Sequence, residues 1–337
     1  MTRSSFVAAI SALAIVIGAA SWSQPDLVNA DLWWHLASGR QIAESGEIPK
    51  VDSFSHTAAG EPWINHGWLW DRLAWSAYRV HPDVLAGLNL ALIAAMFWLV
   101  SLSARRAAGS WVAAGAATWL AAGTCHWFLD IRPQMVTLFL TALLLATLGG
   151  RRAPWTWPPL FLVWSNLHAG FAFGLGLVGL HLLITTVRAL AGRDRSALPV
   201  SGWIGLGLAA LAVGINPWSF EIYAVPFQPL DPQTPFQDLI EWLPPALGLD
   251  PRSYGGRFVW MALAAFAGAV RFRRAPLSVA LAAVTLVMAL SARRFIPLFA
   301  IVAAPAAAVG LAPCWELLRQ RASVLSQPGA RTAAGRV

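Results

Sequence analysis

Lysine is nearly missing from this chain: Lys50 is the single lysine among 24 Lys and Arg residues. With alanine and glycine so abundant, that skew reads as genomic base composition and not as a demand for guanidinium groups. Charge of either sign is scarce. Only 12% of the 337 residues are charged against 57% hydrophobic, and the mean hydropathy of +0.58 excludes a soluble globular domain. Cysteine is limited to Cys125 and Cys314, expected at opposite ends of separate spans, so neither a disulfide nor a cysteine metal site is expected. No Walker loop, dinucleotide fingerprint, HExxH or GxSxG occurs, which argues against nucleotide-driven chemistry. No internal repeat and no soluble second domain is legible.

What remains is a succession of apolar runs matched to a hydrocarbon core about 30 Å thick. Ten spans are expected, at 5–21, 84–103, 109–129, 134–149, 155–166, 170–190, 202–215, 257–271, 276–291 and 295–312. The fold class is therefore an all-α polytopic transmembrane bundle. With the N-terminus inside, each inner connection carries arginine: Arg3, Arg105/Arg106, Arg151/Arg152, Arg188/Arg193/Arg195, Arg271/Arg273/Arg274 and Arg319/Arg321. The acids agree independently, since only Asp194 and Glu316 of 16 Asp and Glu fall inside. Both termini are thus expected in the cytoplasm of a bacterial cell, with the chain in its cytoplasmic (inner) membrane. The net charge of +8 is then an inner-face property that sets orientation and meets membrane lipid. Short basic loops without an aromatic reading surface exclude nucleic acid as a partner. The first apolar segment reads as an uncleaved span, because Pro25-Asp26 offers no clean small-residue cleavage site.

Residues 1–321 form one membrane domain on this reading, with long outer loops at 22–83 and 216–256 and a disordered cytoplasmic tail at 322–337. In the first loop, Asp31 to Glu44 reads as a helix with Leu32, Leu36 and Ile42 on one side, stopped by Gly46. His66 to Val80 reads as a second amphipathic helix. The second loop is proline-dense, with a short helix expected over Phe236–Leu243.

Several polar residues stand out against this background. Asp31 follows the first span closely and begins a helix, so it is either a general base or acceptor-binding carboxylate, or a plain N-cap. Asp130 and Arg132 share a tight outer hairpin, as functional charges or as a pair that closes the turn. Asn166 and His168 interrupt an apolar stretch, which requires a cavity or burial in protein. Arg293 and Arg294 are the exception to the charge rule on the outer side. Adjacent guanidiniums there suit a phosphate or diphosphate, or else snorkel to lipid headgroups. His35, His66 and Glu241 complete the candidates for orienting a substrate.

Taken together, these pieces resemble a known group. The run Asp31-Leu-Trp-Trp-His-Leu, then Asp52-Ser-Phe-Ser-His-Thr, His66-Gly-Trp-Leu, Arg132-Pro133-Gln134, Asn166-Leu-His-Ala-Gly-Phe, Asn216-Pro217-Trp218, Glu241-Trp242 and Arg293-Arg294-Phe-Ile-Pro is similar to bacterial polytopic proteins of the C-type (GT-C) glycosyltransferase superfamily. More distantly, the first piece resembles the start of oligosaccharyltransferase catalytic subunits. That resemblance implies Asp31 and Asp130 as catalytic or metal-binding acids, with a divalent cation (Mg or Mn) as the cofactor they would hold. It implies Arg132, Arg293 and Arg294 as donor phosphate ligands. The implied activity is an inverting transfer of sugar from a polyprenyl-phosphate-linked donor to an acceptor on the outer face, in envelope glycan synthesis. The chain lacks a WWDYG-like acceptor motif, so protein N-glycosylation is not implied. The alternative is a non-catalytic carrier-binding, flippase-like or assembly protein.

Overall fold

The computed structural model describes residues 30–148, 150, 153–230, 239–271 and 276–325. The first expected span, the tail beyond 325 and residues 231–238 of the second loop lie outside the described residues. Among the described residues the protein is all-α, its only β feature being a single bridge between Val51 and Pro62.

Two short helices come first, α1 (Ala30–Ser45) and α2 (Trp68–Val80). On α1 the buried side chains Leu32, His35, Leu36, Ser38, Gly39 and Ile42 recur every three or four residues and form one stripe. Gly46 ends α1 at φ 74°, a left-handed backbone that a Cβ would disfavour. The link to α2 is pinned by Asp52, whose Oδ1 accepts from the Phe54 and Ser55 amides at 2.8 Å each.

Nine mostly apolar helices follow: α3 (Pro82–Ala108), α4 (Trp111–Cys125), α5 (Gln134–Thr147), α6 (Ala153–Leu167), α7 (Phe171–Ala191), α8 (Val200–Val213), α9 (Tyr254–Ala269), α10 (Pro276–Ser291) and α11 (Ile296–Leu325). Local chemistry sets their ends. Pro82 opens α3 beside the His81 side chain, which accepts from the Asp83 amide. Arg105 and Arg106 close α3 ahead of Gly109. Ser110 caps α4 and Ser253 caps α9 through their hydroxyls. Between α8 and α9, Ser219–Leu230 runs as 3₁₀ turns and Ile240–Trp242 makes one more.

Nine of the ten expected spans coincide with α3 to α11. Four stretches are long and apolar enough to cross a membrane: Pro82–Ala108, Phe171–Ala191, Arg195–Val213 and Arg293–Leu317. The protein is accordingly a multi-pass membrane protein. The others are shorter; at 1.5 Å per residue, the 14 residues of α5 reach only about 21 Å of a core about 30 Å thick. Apolar turn residues beyond the helix ends lengthen the hydrophobic runs in the sequence, so the runs overstate helix length.

Packing divides into two clusters. Helices α3, α4, α5, α9 and α10 surround α11, while α6, α7 and α8 build the second cluster, which α1 and α2 join. Small residues let the backbones of α9 and α11 touch. A Cβ built on Gly310 would lie 2.4 Å from the Ala264 carbonyl oxygen, and one on Gly268 2.1 Å from that of Ala306. The Gly310→Val variant should therefore lose about 1–3 kcal/mol of stability from overpacking. Gly207→Ala, where a Cβ meets nothing within 4 Å, should be neutral or slightly stabilising. Thermal unfolding of both variants in detergent checks the pair.

Candidate functional site

Helices α1 and α2 cross so tightly because of Gly39. A Cβ there would sit 2.0 Å from the Asp71 carbonyl oxygen and 2.9 Å from the Trp75 Cβ. The close crossing places the Asp71 carboxylate, wholly buried, against side chains of α1. A bond of 2.6 Å joins Asp71 Oδ1 to His35 Nδ1. Asn65 Nδ2 donates to Asp71 Oδ2 and to Ser38 Oγ, both at 2.9 Å. Trp34 stacks on the His35 ring at 3.6 Å and Trp70 meets it edge-on at 5.1 Å. With Nδ1 committed to a carboxylate, His35 has Nε2 alone for any other partner.

A second network gathers charges from four separate stretches of chain. Arg132 lies in the α4–α5 hairpin, which Asn89 holds by donating to the Leu129 carbonyl at 3.1 Å. Its guanidinium meets Asp31 Oδ2 at 2.9 Å, Glu241 Oε2 at 3.6 Å and Asp130 Oδ2 at 3.8 Å. Glu241 Oε1 also accepts from Arg294 at 3.3 Å, and the Arg294 guanidinium lies 4.2 Å from the Trp242 ring centroid. Three carboxylates thus face two guanidiniums. The side chains of Asp31, Asp130 and Glu241 are 48%, 31% and 30% exposed, so each pair alone contributes little to stability. Their joint effect is to fix orientation. The two guanidiniums are equally sheltered, Arg132 at 23% and Arg294 at 24% exposed, and an anion brought between them would offset that burial.

Arg293 goes elsewhere. Its Nε donates to the Pro244 carbonyl at 3.2 Å, its amide to the Leu243 carbonyl, and its own carbonyl accepts from the Tyr254 hydroxyl. The structure separates the two neighbouring arginines, because successive residues in the 3₁₀ turn Arg293–Phe295 point about 120° apart.

The remaining candidates lie where α6 ends. His168 Nδ1 accepts from the Gly170 amide at 3.0 Å and contacts Thr137 Oγ1 at 2.8 Å, and Thr137 in turn accepts from Trp164 Nε1. Accepting at Nδ1 puts the proton of the neutral ring on Nε2. Asn166 is a bolt between segments: it donates to the Leu162 and Ile215 carbonyls and accepts from Trp68 Nε1 at 3.0 Å. His66 lies 5.7 Å from His168, ring to ring. Burial, followed by the nearby His35, lowers the His66 pKa to about 4, with Asp71 opposing and Arg294 adding to the fall. Burial likewise lowers His168, with His66 and Arg294 next among the causes. These couplings make the two networks neighbours in a single polar region.

Asp31, Asp130, Arg132, Glu241 and Arg294 therefore converge, with His35, His66 and His168 beside them, while Asn166 is turned to packing and Arg293 to the proline segment. Asn65, Ser38 and Thr137, which the sequence did not single out, belong to the same region, as do Asp71 and Trp68. Asp71 carried the one available signal, a carboxylate on the buried side of an amphipathic helix. Among the described residues no three His, Cys, Asp or Glu side chains gather as a cation's ligands. Asp31 and Asp130, the acids expected to hold a divalent ion, instead face Arg132. As placed, these residues do not fit such an ion, and no step is drawn through one.

Among the described residues, eleven α-helices and four stretches long enough to span a bilayer, with a charged cluster where the inter-helix segments meet, define the architecture of a polytopic membrane protein. No protein-family model and no curated protein matches the chain, but seven chains of known structure do. One is the Archaeoglobus fulgidus oligosaccharyltransferase, crystallised with a disulfide-tethered acceptor peptide containing the NVT sequon. It superposes with a TM-score of 0.65 over 95% of this chain, at 15% identity. The chain spans about half of that protein's length, 51% of it. The likeness expected from the sequence is thus met in the fold.

The histidines give a pH prediction. His66 binds its proton less tightly folded than its ordinary value near 6.5, so the unfolded chain takes up more protons between that value and about 4. Stability should be full above pH 7 and fall as pH drops toward 4. The melting temperature of the wild type should decline from pH 7 to pH 5, and His66→Gln should decline less steeply. Equal slopes would remove the assigned neutrality.

Proposed function

We propose that the protein is a GT-C-type glycosyltransferase of the bacterial cytoplasmic membrane, taking sugar from a polyprenyl-phosphate-linked donor on the outer face. The observation that carries this reading is the Arg132–Glu241–Arg294 chain of charges set in a fold like that of an oligosaccharyltransferase. A lipid-linked donor presents its phosphate at the membrane surface, beside the level at which these residues lie. The absence of nucleotide-binding motifs also favours a donor delivered by lipid.

In this mechanism the acceptor hydroxyl attacks the anomeric carbon as the bond from that carbon to the phosphate oxygen breaks. Inversion follows from a single displacement. The hydroxyl proton passes to Asp31, the most exposed of the three cluster acids. Negative charge accumulates on the departing phosphate, where Arg294 and Arg132 stabilise it. For this the phosphate must displace Glu241 from Arg294, and the ring of Trp242 keeps the guanidinium in place during the exchange. Neutral His66 and His168 offer hydrogen bonds to sugar hydroxyls without adding charge.

The test is a deletion strain complemented with wild-type or Asp31→Asn protein. The variant should insert normally, lower transfer by roughly two orders of magnitude or more, and let lipid-linked donor accumulate. Full rescue by Asp31→Asn would overturn the mechanism and leave a carrier-binding role in its place. Arg294→Gln should weaken binding of polyprenyl phosphate by about tenfold or more, the scale of one lost charge-assisted hydrogen bond.

A further inference from the structure

The molecule holds a second polar feature at its opposite end. A cavity of about 750 Å³ opens among the ends of α3 and α5, the starts of α6 and α10, and the side of α11. The 14 residues of α5 separate it from the Arg132 cluster by about 20 Å along the helix axis. It belongs to the arginine-rich face of the protein and shares no residue with the site above.

Its walls are of two kinds. Leu145, Leu281 and Val302 make an apolar side, and Ser103, Thr156 and Arg106 a polar one. Arg106 differs from the arginines of the other face in its company. Arg132 and Arg294 are each paired with carboxylates, whereas among the described residues no carboxylate pairs with Arg106. Among the described residues its hydrogen bond runs from NH1 to the Ala146 carbonyl, and a guanidinium has five N–H donors in all. The adjacent Arg105 is turned away, over the ring of Trp111 at 5.7 Å. The described ends of α6 and α10 also border the cavity, through Ala153, Thr156, Pro276 and Ser278. The volume lies in the range of small-molecule sites and exceeds what a bare phosphate would fill.

We propose that this cavity is a binding site for an anionic phospholipid of the leaflet at that face. The phosphate sits on Arg106 beside the Thr156 and Ser278 hydroxyls, and the first part of an acyl chain lies along Leu281 and Val302. A planar guanidinium suits the phosphate oxygens. An apolar wall beside it, at the end of membrane helices, suits the chain attached to that phosphate. The site does not depend on the activity proposed above.

Thermal unfolding of the full chain, purified in detergent and stripped of lipid, tests this. Phosphatidylglycerol, phosphatidylcholine and inorganic phosphate are each added separately. Phosphatidylglycerol should raise the melting temperature by at least about 3 °C more than phosphatidylcholine, since a ligand that binds only the folded state stabilises it. Arg106→Gln should lose that difference. So should Leu281→Trp, which fills the cavity, whereas Arg188→Gln on the same face should keep it. Equal shifts from the two lipids would overturn the proposal, as would a full shift retained by Arg106→Gln. A shift of the same size from inorganic phosphate alone would also overturn it, and would indicate a site for free anions.

Discussion

The guanidinium of Arg132 is the point at which this molecule's separate parts agree. Asp31 comes from the helix before the first described span, Asp130 from the arginine's own hairpin, and Glu241 from a proline-dense loop more than a hundred residues later. Leu32 and Leu36 seat α1, and Leu129 and Ile131 seat the hairpin, in the bundle. What holds them in register is one planar cation with five donors. Its partners are partly exposed, so the network supplies geometry more than stability. Removing the cation would leave three carboxylates facing one another, and their repulsion would spread the loops that Arg132 gathers.

The neighbouring His35–Asp71 pair works by the opposite physics. Asp71 is out of water altogether, and each of its oxygens is matched by a named partner. A buried carboxylate is tolerated only on those terms. Gly39 makes them possible by letting the helices meet backbone to backbone. The same shelter keeps His66 and His168 neutral. One region thus offers charged groups at its rim and uncharged hydrogen-bonding rings behind them, an arrangement suited to a substrate that is anionic at one end and polar but neutral at the other.

Much of this was legible in the sequence. Apolar runs located the helices, and Gly46 marked the end of α1 through its positive φ. Residues that broke the apolar pattern, such as Asp130, Arg132 and Glu241, proved to meet. The rest needed three dimensions. Thr137 lies inside an apolar helix and looks like filler, yet it bridges His168 and Trp164. Arg293 and Arg294 are indistinguishable as letters; the register of one 3₁₀ turn sends the first to Pro244 and the second to Glu241. Asn166, which breaks the pattern as plainly as His168 does, uses both its polar atoms to join α2, α6 and the chain after α8. Hydropathy reports that a polar group has been admitted to an apolar setting but not what admitted it.

The stretch Arg293–Leu317 is buried along 89% of its apolar window, against 22% to 39% for the other three long spans. The axle of the bundle is therefore a helix that the ribosome makes after the ten described helices before it. Until α11 emerges, the faces that α3, α4, α9 and α10 turn toward it have no protein to cover them, although α1 with α2, α3 with α5 and α6 with α8 can already pack. Because Arg294 stands at the head of that helix, the charged cluster closes in the same event that completes the core.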